Sequence, residues 1–231
     1  MMKNPKILVG CPTSEHKSYA LECYAEGLKS LNYDNFDILL VDNSKTDEYY
    51  KKIKSLGIPV VKGPYYEGAK QRIVDSRNIL RQKVLDEGYD YFFSLEQDVI
   101  PPVSIIQRLL EHNKEIITGV YFTYQKNKEG IDLGLAPVLW KKSGKSGLKV
   151  MSEQEVTTPR IIEVGACGLG CVLIRRKVLE KIKFRFGKEY EGFDDIWFAY
   201  DAFNNNFNIF ADTSLKCKHL IKGWSWEGIK E

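Results

Sequence analysis

The sequence predicts an α/β protein: a single domain of 231 residues on a mixed, mostly parallel sheet flanked by helices. Three observations predict it. Short apolar runs alternate with helical patterns through the first half of the chain, the signature of βαβ units. Polar clusters follow the first, second and fourth of those runs, as expected where strand ends face a ligand crevice. The composition, 43% hydrophobic and 12% aromatic, suits a globular chain able to bury one sizeable core.

Lys6 to Gly10 reads as the first strand, and Ala20, Tyr24, Gly27, Leu28 and Leu31 recur at helical spacing behind it. Phe36 to Val41 is the second strand. Tyr49, Ile53 and Leu56 mark a short inward helix face stopped by Gly57, before a third strand at Ile58 to Val61. Ala69, Ile73, Ser76, Leu80 and Val84 predict a longer helix from Glu67 to Glu87, stopped by Gly88. Tyr91 to Leu95 is apolar enough for a strand buried on both faces. Pro101 and Pro102 suit the first turn of the next helix, with Val103, Ile106, Leu109 and Leu110 inward, and a strand follows at Ile116 to Phe122. Residues 125–160 are rich in Lys, Gly, Ser and Glu with weak periodicity, which predicts a mobile loop or irregular hairpin. A strand at Cys171 to Ile174, helices from Arg176 and Asp194, and a strand at Asn208 to Ala211 complete the series.

Thirty-four Lys and Arg against 31 Asp and Glu leave a net charge of +3 without a basic stripe, which speaks against nucleic acid as a partner. No apolar run reaches the roughly 20 residues that span a bilayer, and the first residues lack the apolar stretch of a signal peptide, so a cytoplasmic location is expected. The five cysteines lack metal or redox spacing, and most of them read as reduced core residues.

The chemistry-bearing residues follow the strands. They are Pro12 and Thr13 after the first, Asp42 after the second, and Glu96, Gln97 and Asp98 after the fourth. Winding such a sheet in the usual order brings all three clusters to one crevice. Acids at the end of a buried strand are costly unless a cation or a hydrogen-bond network faces them. Hard Mg2+ or Mn2+ needs only one or two carboxylates, completing its shell with water and phosphate oxygens.

The order of these motifs resembles a GT-A-fold glycosyltransferase of the family 2 type over nearly the whole chain. The matching residues are Pro12-Thr13, Val41-Asp42-Asn43-Ser44, Arg77-Asn78, Glu96-Gln97-Asp98, the Gly165 to Gly170 turn, Asp194-Asp195 and His219. The resemblance implies a GT-A-type, Rossmann-like fold with a nucleotide-binding half at 1–98 and an acceptor-binding half at 99–231. It implies that Pro12, Thr13, Asp42, Arg77, Glu96 and Gln97 bind a UDP- or GDP-sugar, and that Asp98 with His219 holds Mn2+ or Mg2+. Asp195, with Asp194 as the second choice, would be the general base of an inverting, hexosyltransferase-like reaction. Gly168, Trp224 and Trp226 would meet a carbohydrate or lipid-linked acceptor, the latter bringing the protein to a membrane surface.

The chain departs from the family pattern at Glu96 and Asp194, where the family carries Asp and Glu, and those departures leave room for a non-catalytic nucleotide-binding scaffold. A nucleotidyltransferase is disfavoured because Cys11 to Lys17 contains no glycine, and a Rossmann redox protein because no G-x-G-x-x-G follows the first strand.

Overall fold

The computed structural model describes residues 4–126, 132–144, 147–187 and 192–222. Strand β1 (Ile7–Thr13) runs through a 3-10 turn at Glu15–Ala20 into α1 (Leu21–Ser30), followed by β2 (Phe36–Asp42), α2 (Glu48–Ser55), β3 (Val60–Lys62) and α3 (Ala69–Asp86). Next come β4 (Tyr91–Leu95), the short β5 (Val99–Ile100), α4 (Ile105–Glu111) and β6 (Ile116–Val120). An antiparallel region holds β7 (Phe122–Lys126), β8 (Asp132–Pro137), β9 (Leu139–Ser143) and β10 (Gly147–Val150), then α5 (Glu153–Thr157), β11 (Ile161–Val164) and β12 (Ala166–Cys167). The chain closes with β13 (Cys171–Arg175), α6 (Arg176–Lys181), α7 (Asp194–Asn204), β14 (Ile209–Lys216) and β15 (Lys218–His219).

The main sheet has eight strands in the order β11-β14-β6-β13-β4-β1-β2-β3. Parallel pairing joins β1 to β2 and β4, β2 to β3, and β14 to β6. Only β13, between β4 and β6, and the edge strand β11 run the other way. The carboxyl ends of β1, β2, β4 and β6 therefore open on one rim, where the polar clusters lie.

Alternation along each strand builds a core on either side of the sheet. Leu8, Phe92, Ile116 and Ile174 face Leu80 and Val84 of α3 with Phe198 and Ala202 of α7. Ile7, Val9, Phe93 and Leu173 face Tyr24 and Leu28 of α1 with Ile106 and Leu109 of α4. Central β4 is buried throughout, and burying each of Phe92 and Phe93 contributes about 1.5–3 kcal/mol. Helices α2 and α3 stop where Gly57 and Gly88 take positive φ of 76° and 68°, conformations that cost other residues more.

Several expectations are refined or corrected. In the 125–160 region the irregular-hairpin alternative holds, with β7 paired to β8 across a register shift, and the further strands β9 and β10 add to it, β9 lying between β10 and β12. Short strands with exposed faces, such as β10, leave little apolar alternation to read. Pro101 and Pro102 precede α4 rather than opening it, and Val103, expected inward, is 53% exposed. The expected strand from Ile116 to Phe122 breaks between β6 and β7, at Tyr121. Strand β1 continues past Gly10 because Cys11, Pro12 and Thr13 stay in register with Leu40, Val41 and Asp42. Strand β14 likewise runs on to Lys216.

Candidate active site

A cleft of about 380 Å3 opens at the carboxyl rim of the parallel strands. Of the residues singled out in the sequence, Pro12, Thr13, Arg77, Glu96, Gln97, Gly168, Asp194, Asp195 and His219 line it. Asn43 of the second motif lines it as well, and Lys17, Tyr121 and Phe193, which were not anticipated, line it too. Trp224 and Trp226 lie outside the described residues. A larger cavity of about 680 Å3, lined by Asn4, Tyr91, Glu111 and Arg175 among others, lies at the opposite ends of β1 and β4, away from these clusters.

Asp98, 1% exposed, is not itself part of the cleft lining but is buried behind two residues that are, Lys17 and His219. Its Oδ2 accepts from the Lys17 ammonium, from the Tyr19 hydroxyl at 3.1 Å, and faces His219 Nε2 at 3.3 Å. Its Oδ1 is buried with no hydrogen-bond partner. Pairing of β15 with β5, His219 opposite Val99, brings the imidazole to the carboxylate although the two are far apart in sequence. His219 Nδ1 lies 2.8 Å from the Phe122 carbonyl, which can only accept, so Nδ1 carries a proton and Nε2 is the atom turned to Asp98. The Tyr121 ring meets the imidazole edge-on at 5.4 Å, restricting its rotation. Burial acts to raise the Asp98 carboxyl, but the His219 hydrogen bond and the Lys17 charge outweigh it and hold the carboxyl down at about 2. For His219 burial acts to lower the pKa, and the Asp98 carboxylate reverses that into a rise.

This donor set fits a divalent cation. A carboxylate with an orphaned buried oxygen stands beside an imidazole whose other nitrogen is tied to a carbonyl, the arrangement that orients a metal-binding histidine. No group of three His, Cys, Asp or Glu side chains suited to a metal occurs among the described residues, so such an ion would take most of its shell from water and phosphate.

The second charged centre surrounds Arg77 of α3, 1% exposed. Its Nε donates to Asp194 Oδ2 at 2.6 Å, Nη1 to Ser94 Oγ at 2.6 Å, and Nη2 to Glu96 Oε1 at 3.2 Å. Its neighbour Asn78 exchanges two hydrogen bonds with the Phe184 backbone, tying α3 to the chain that leads into α7. Asp195, next to the neutralised Asp194, is half-buried and accepts only from the Ile196 N–H among the hydrogen bonds found. Burial, reinforced by the Asp194 charge, pushes its carboxyl up to about 6.

Gln97 is a buried hub. Its Oε1 accepts from Thr13 and from the Tyr49 hydroxyl at 2.8 Å, and its Nε2 donates to the Lys17 carbonyl at 2.7 Å. Asp42 lies behind the wall, 0% exposed, accepting from the Ser44 N–H at 2.9 Å and from Lys62 at 2.9 Å, while Asn43 takes the place at the cleft. The Gly-rich turn packs on Tyr121, whose hydroxyl accepts from the Gly170 N–H at 3.0 Å. Four of the five thiols are buried, Cys171 and Cys217 in contact at 3.4 Å between sulfurs.

No family model matches the sequence, and no curated protein matches it. Among solved structures, the chain is similar to GalNAc-T7, determined with UDP, GalNAc and Mn2+, at a TM-score of 0.67 and 15% identity over 97% of this chain. That match covers 46% of GalNAc-T7, so the chain spans about half the length of that protein. It is also similar to A197 from STIV, at a TM-score of 0.53 and 19% identity, over 94% of this chain and 86% of that one. At such identities the likeness bears on the fold, which is of the GT-A type: a mixed, mostly parallel sheet flanked by helices. No helix among the described residues is long and apolar enough to cross a membrane.

Proposed function

We propose that the chain is a glycosyltransferase that moves a sugar from a nucleoside-diphosphate sugar to an acceptor hydroxyl. The observation that carries this reading is that Asp195 and His219 line one cleft of a GT-A sheet, with His219 Nε2 3.3 Å from the buried carboxylate of Asp98. Asp98 and His219 would hold Mn2+ or Mg2+, which when bound supplies Lewis-acid stabilisation of a departing diphosphate. The end of β1 at Pro12 and Thr13, paired with Val41 and Asp42 and braced by Gln97, borders the nucleoside side, and Asn43 offers a polar group there.

Asp195 is the general base in this reading. A carboxyl near 6 is ionised at neutral pH yet basic enough to take the acceptor proton. As the acceptor oxygen attacks the anomeric carbon, its proton passes to Asp195, the new glycosidic bond forms, and the bond to the phosphate oxygen breaks with its electron pair on the nucleoside diphosphate. Attack from the face opposite the leaving group inverts the anomeric centre. Arg77 holds Asp194 and Glu96 in place, acting on the diphosphate through their geometry and its own field rather than by direct bonding. Gly168 and the exposed ring of Phe193, together with Trp224 and Trp226, are assigned to the acceptor, a carbohydrate or lipid-linked sugar.

The test is calorimetric titration with UDP and with GDP, each with and without Mn2+, repeated on Asp98→Ala. Metal-dependent binding of one nucleotide, lost in the variant, is the expected result and names the donor's base. Binding of neither nucleotide would remove the transferase reading and leave only the fold.

A further inference from the structure

We propose that Lys17 is a movable cation: its ammonium neutralises Asp98 until a divalent ion enters with the nucleotide, and it then turns to the diphosphate in the same cleft. The proposal rests on the preceding reading of Asp98 as the metal ligand. It follows from the uneven partnering of that carboxylate. Three groups converge on Oδ2, one of them the Lys17 ammonium, while Oδ1 is buried with no partner. A buried carboxylate left without a counter-charge is strongly disfavoured, so Lys17 supplies the positive charge that a divalent ion would otherwise supply.

Lys17 is built to move at its tip and not at its base. Its backbone is held on both sides, the N–H by the Ser14 carbonyl at 2.9 Å and the carbonyl by Gln97 at 2.7 Å. Its side chain is 37% exposed against 2% for Asp98, lines the cleft, and is a point charge on a flexible four-carbon stem. An ammonium and a divalent ion on one carboxylate repel each other, so metal entry alone is opposed. A diphosphate relieves that opposition by giving the displaced ammonium an anionic partner within reach of the same anchored backbone. Metal and nucleotide must then strengthen each other's binding by the same factor, since the coupling is reciprocal.

The experiment follows free Mn2+ by electron paramagnetic resonance, with and without UDP (or GDP, if that is the nucleotide bound), on the whole chain and on Lys17→Met, which keeps the stem and removes the charge. In the unaltered protein, nucleotide is expected to tighten Mn2+ binding by about tenfold or more. In Lys17→Met, Mn2+ alone is expected to bind about tenfold more tightly, and the further gain from nucleotide to shrink by about the same factor. Lys17→Arg keeps the charge and is expected to resemble the unaltered protein. Equal Mn2+ binding by the Met variant and the unaltered protein, with the nucleotide effect retained in both, would overturn the role of Lys17 and leave the metal reading standing. Absence of Mn2+ binding in both, even with nucleotide, would overturn the metal reading and this proposal together. If Lys17→Met does not fold, the unaltered protein still decides, since Mn2+ affinity indifferent to nucleotide contradicts the coupling.

Discussion

Arg77 Nε lies 2.6 Å from Asp194 Oδ2, joining the middle of α3 to the first residue of α7 across 117 positions of sequence. Both side chains are nearly sealed from water, at 1% and 6% exposure, so neither charge has solvent to fall back on. Removing the guanidinium strands one carboxylate and unties Ser94 and Glu96 as well. Arg77→Ala is expected to cost about 3–5 kcal/mol in urea unfolding. Arg77→Lys should recover less than half of that, because an ammonium cannot reach three separate oxygens with the planar fork. A loss below about 1 kcal/mol for the Ala variant would show that the pair is not what holds α7 against α3.

Gln97 presents a different case, since every polar atom of its amide is already used inside the protein. Gln97→Leu keeps the volume and leaves Thr13, Tyr49 and the Lys17 carbonyl short of a partner, for an expected loss of about 1–3 kcal/mol. Tyr49→Phe removes only the hydroxyl that donates to Gln97 Oε1 and accepts from its Nε2, and the two changes together should cost less than their sum. Strict additivity in chemical denaturation would deny that the residues form one network.

How much of this was legible in the sequence varies with the range of the interactions involved. The central strand at Tyr91 to Leu95 could be read residue for residue because a strand buried on both faces needs an unbroken apolar run. The polar strand ends pointed to this rim of the sheet, where Thr13 and Gln97 line the cleft, although the Gln97 amide is spent on internal partners and Asp98 lies outside the lining. Lys17 could not be recognised, for it sits on a 3-10 turn among other charged residues and matters only because folding sets it against Asp98, 81 positions away. The same holds for Phe193, which local pattern marks as an ordinary apolar residue and which is instead half exposed beside Asp194 and Asp195. Asp42 shows the reverse error of a strand-end acid whose oxygens are taken up by Ser44 and Lys62, the cleft position falling to Asn43. The 125–160 region could be read only as a loop or an irregular hairpin because its strands are short and the residues it gives to the core, Leu139, Met151 and Val156, are spaced at no helical or strand period.

Gly168 tests whether the Gly-rich turn is shaped by packing. A Cβ there would collide with the Tyr121 hydroxyl and come within 2.6 Å of Val138 Cγ1. Tyr121 also receives the Gly170 N–H and abuts His219, so it cannot shift without disturbing both. Gly168→Ala is expected to destabilise by about 1–3 kcal/mol in thermal unfolding and to weaken Mn2+ binding through His219. Unchanged stability would mean that Tyr121 has room the packing does not suggest.

Asp195 should set the pH dependence of transfer and oppose stability at the same time. Its carboxyl is raised from 3.8 to about 6, first by burial and then by the Asp194 charge, so the folded state holds this proton more tightly than the unfolded chain. The stabilising effect of the proton is complete below about pH 4 and is lost as pH rises through about 6, leaving an ionised, half-buried carboxylate as a cost at neutrality. Asp195→Asn is therefore expected to gain about 1 kcal/mol at pH 7 and nothing from this source at pH 3, in matched denaturant titrations. The same substitution should lower transfer about 10^2- to 10^4-fold, and the unaltered protein should lose activity below about pH 6 with one proton per unit. An acid limb near pH 4, or a variant less stable at pH 7 than its parent, would mean that Asp195 is an ordinary solvated carboxylate and would pass the base assignment to another group.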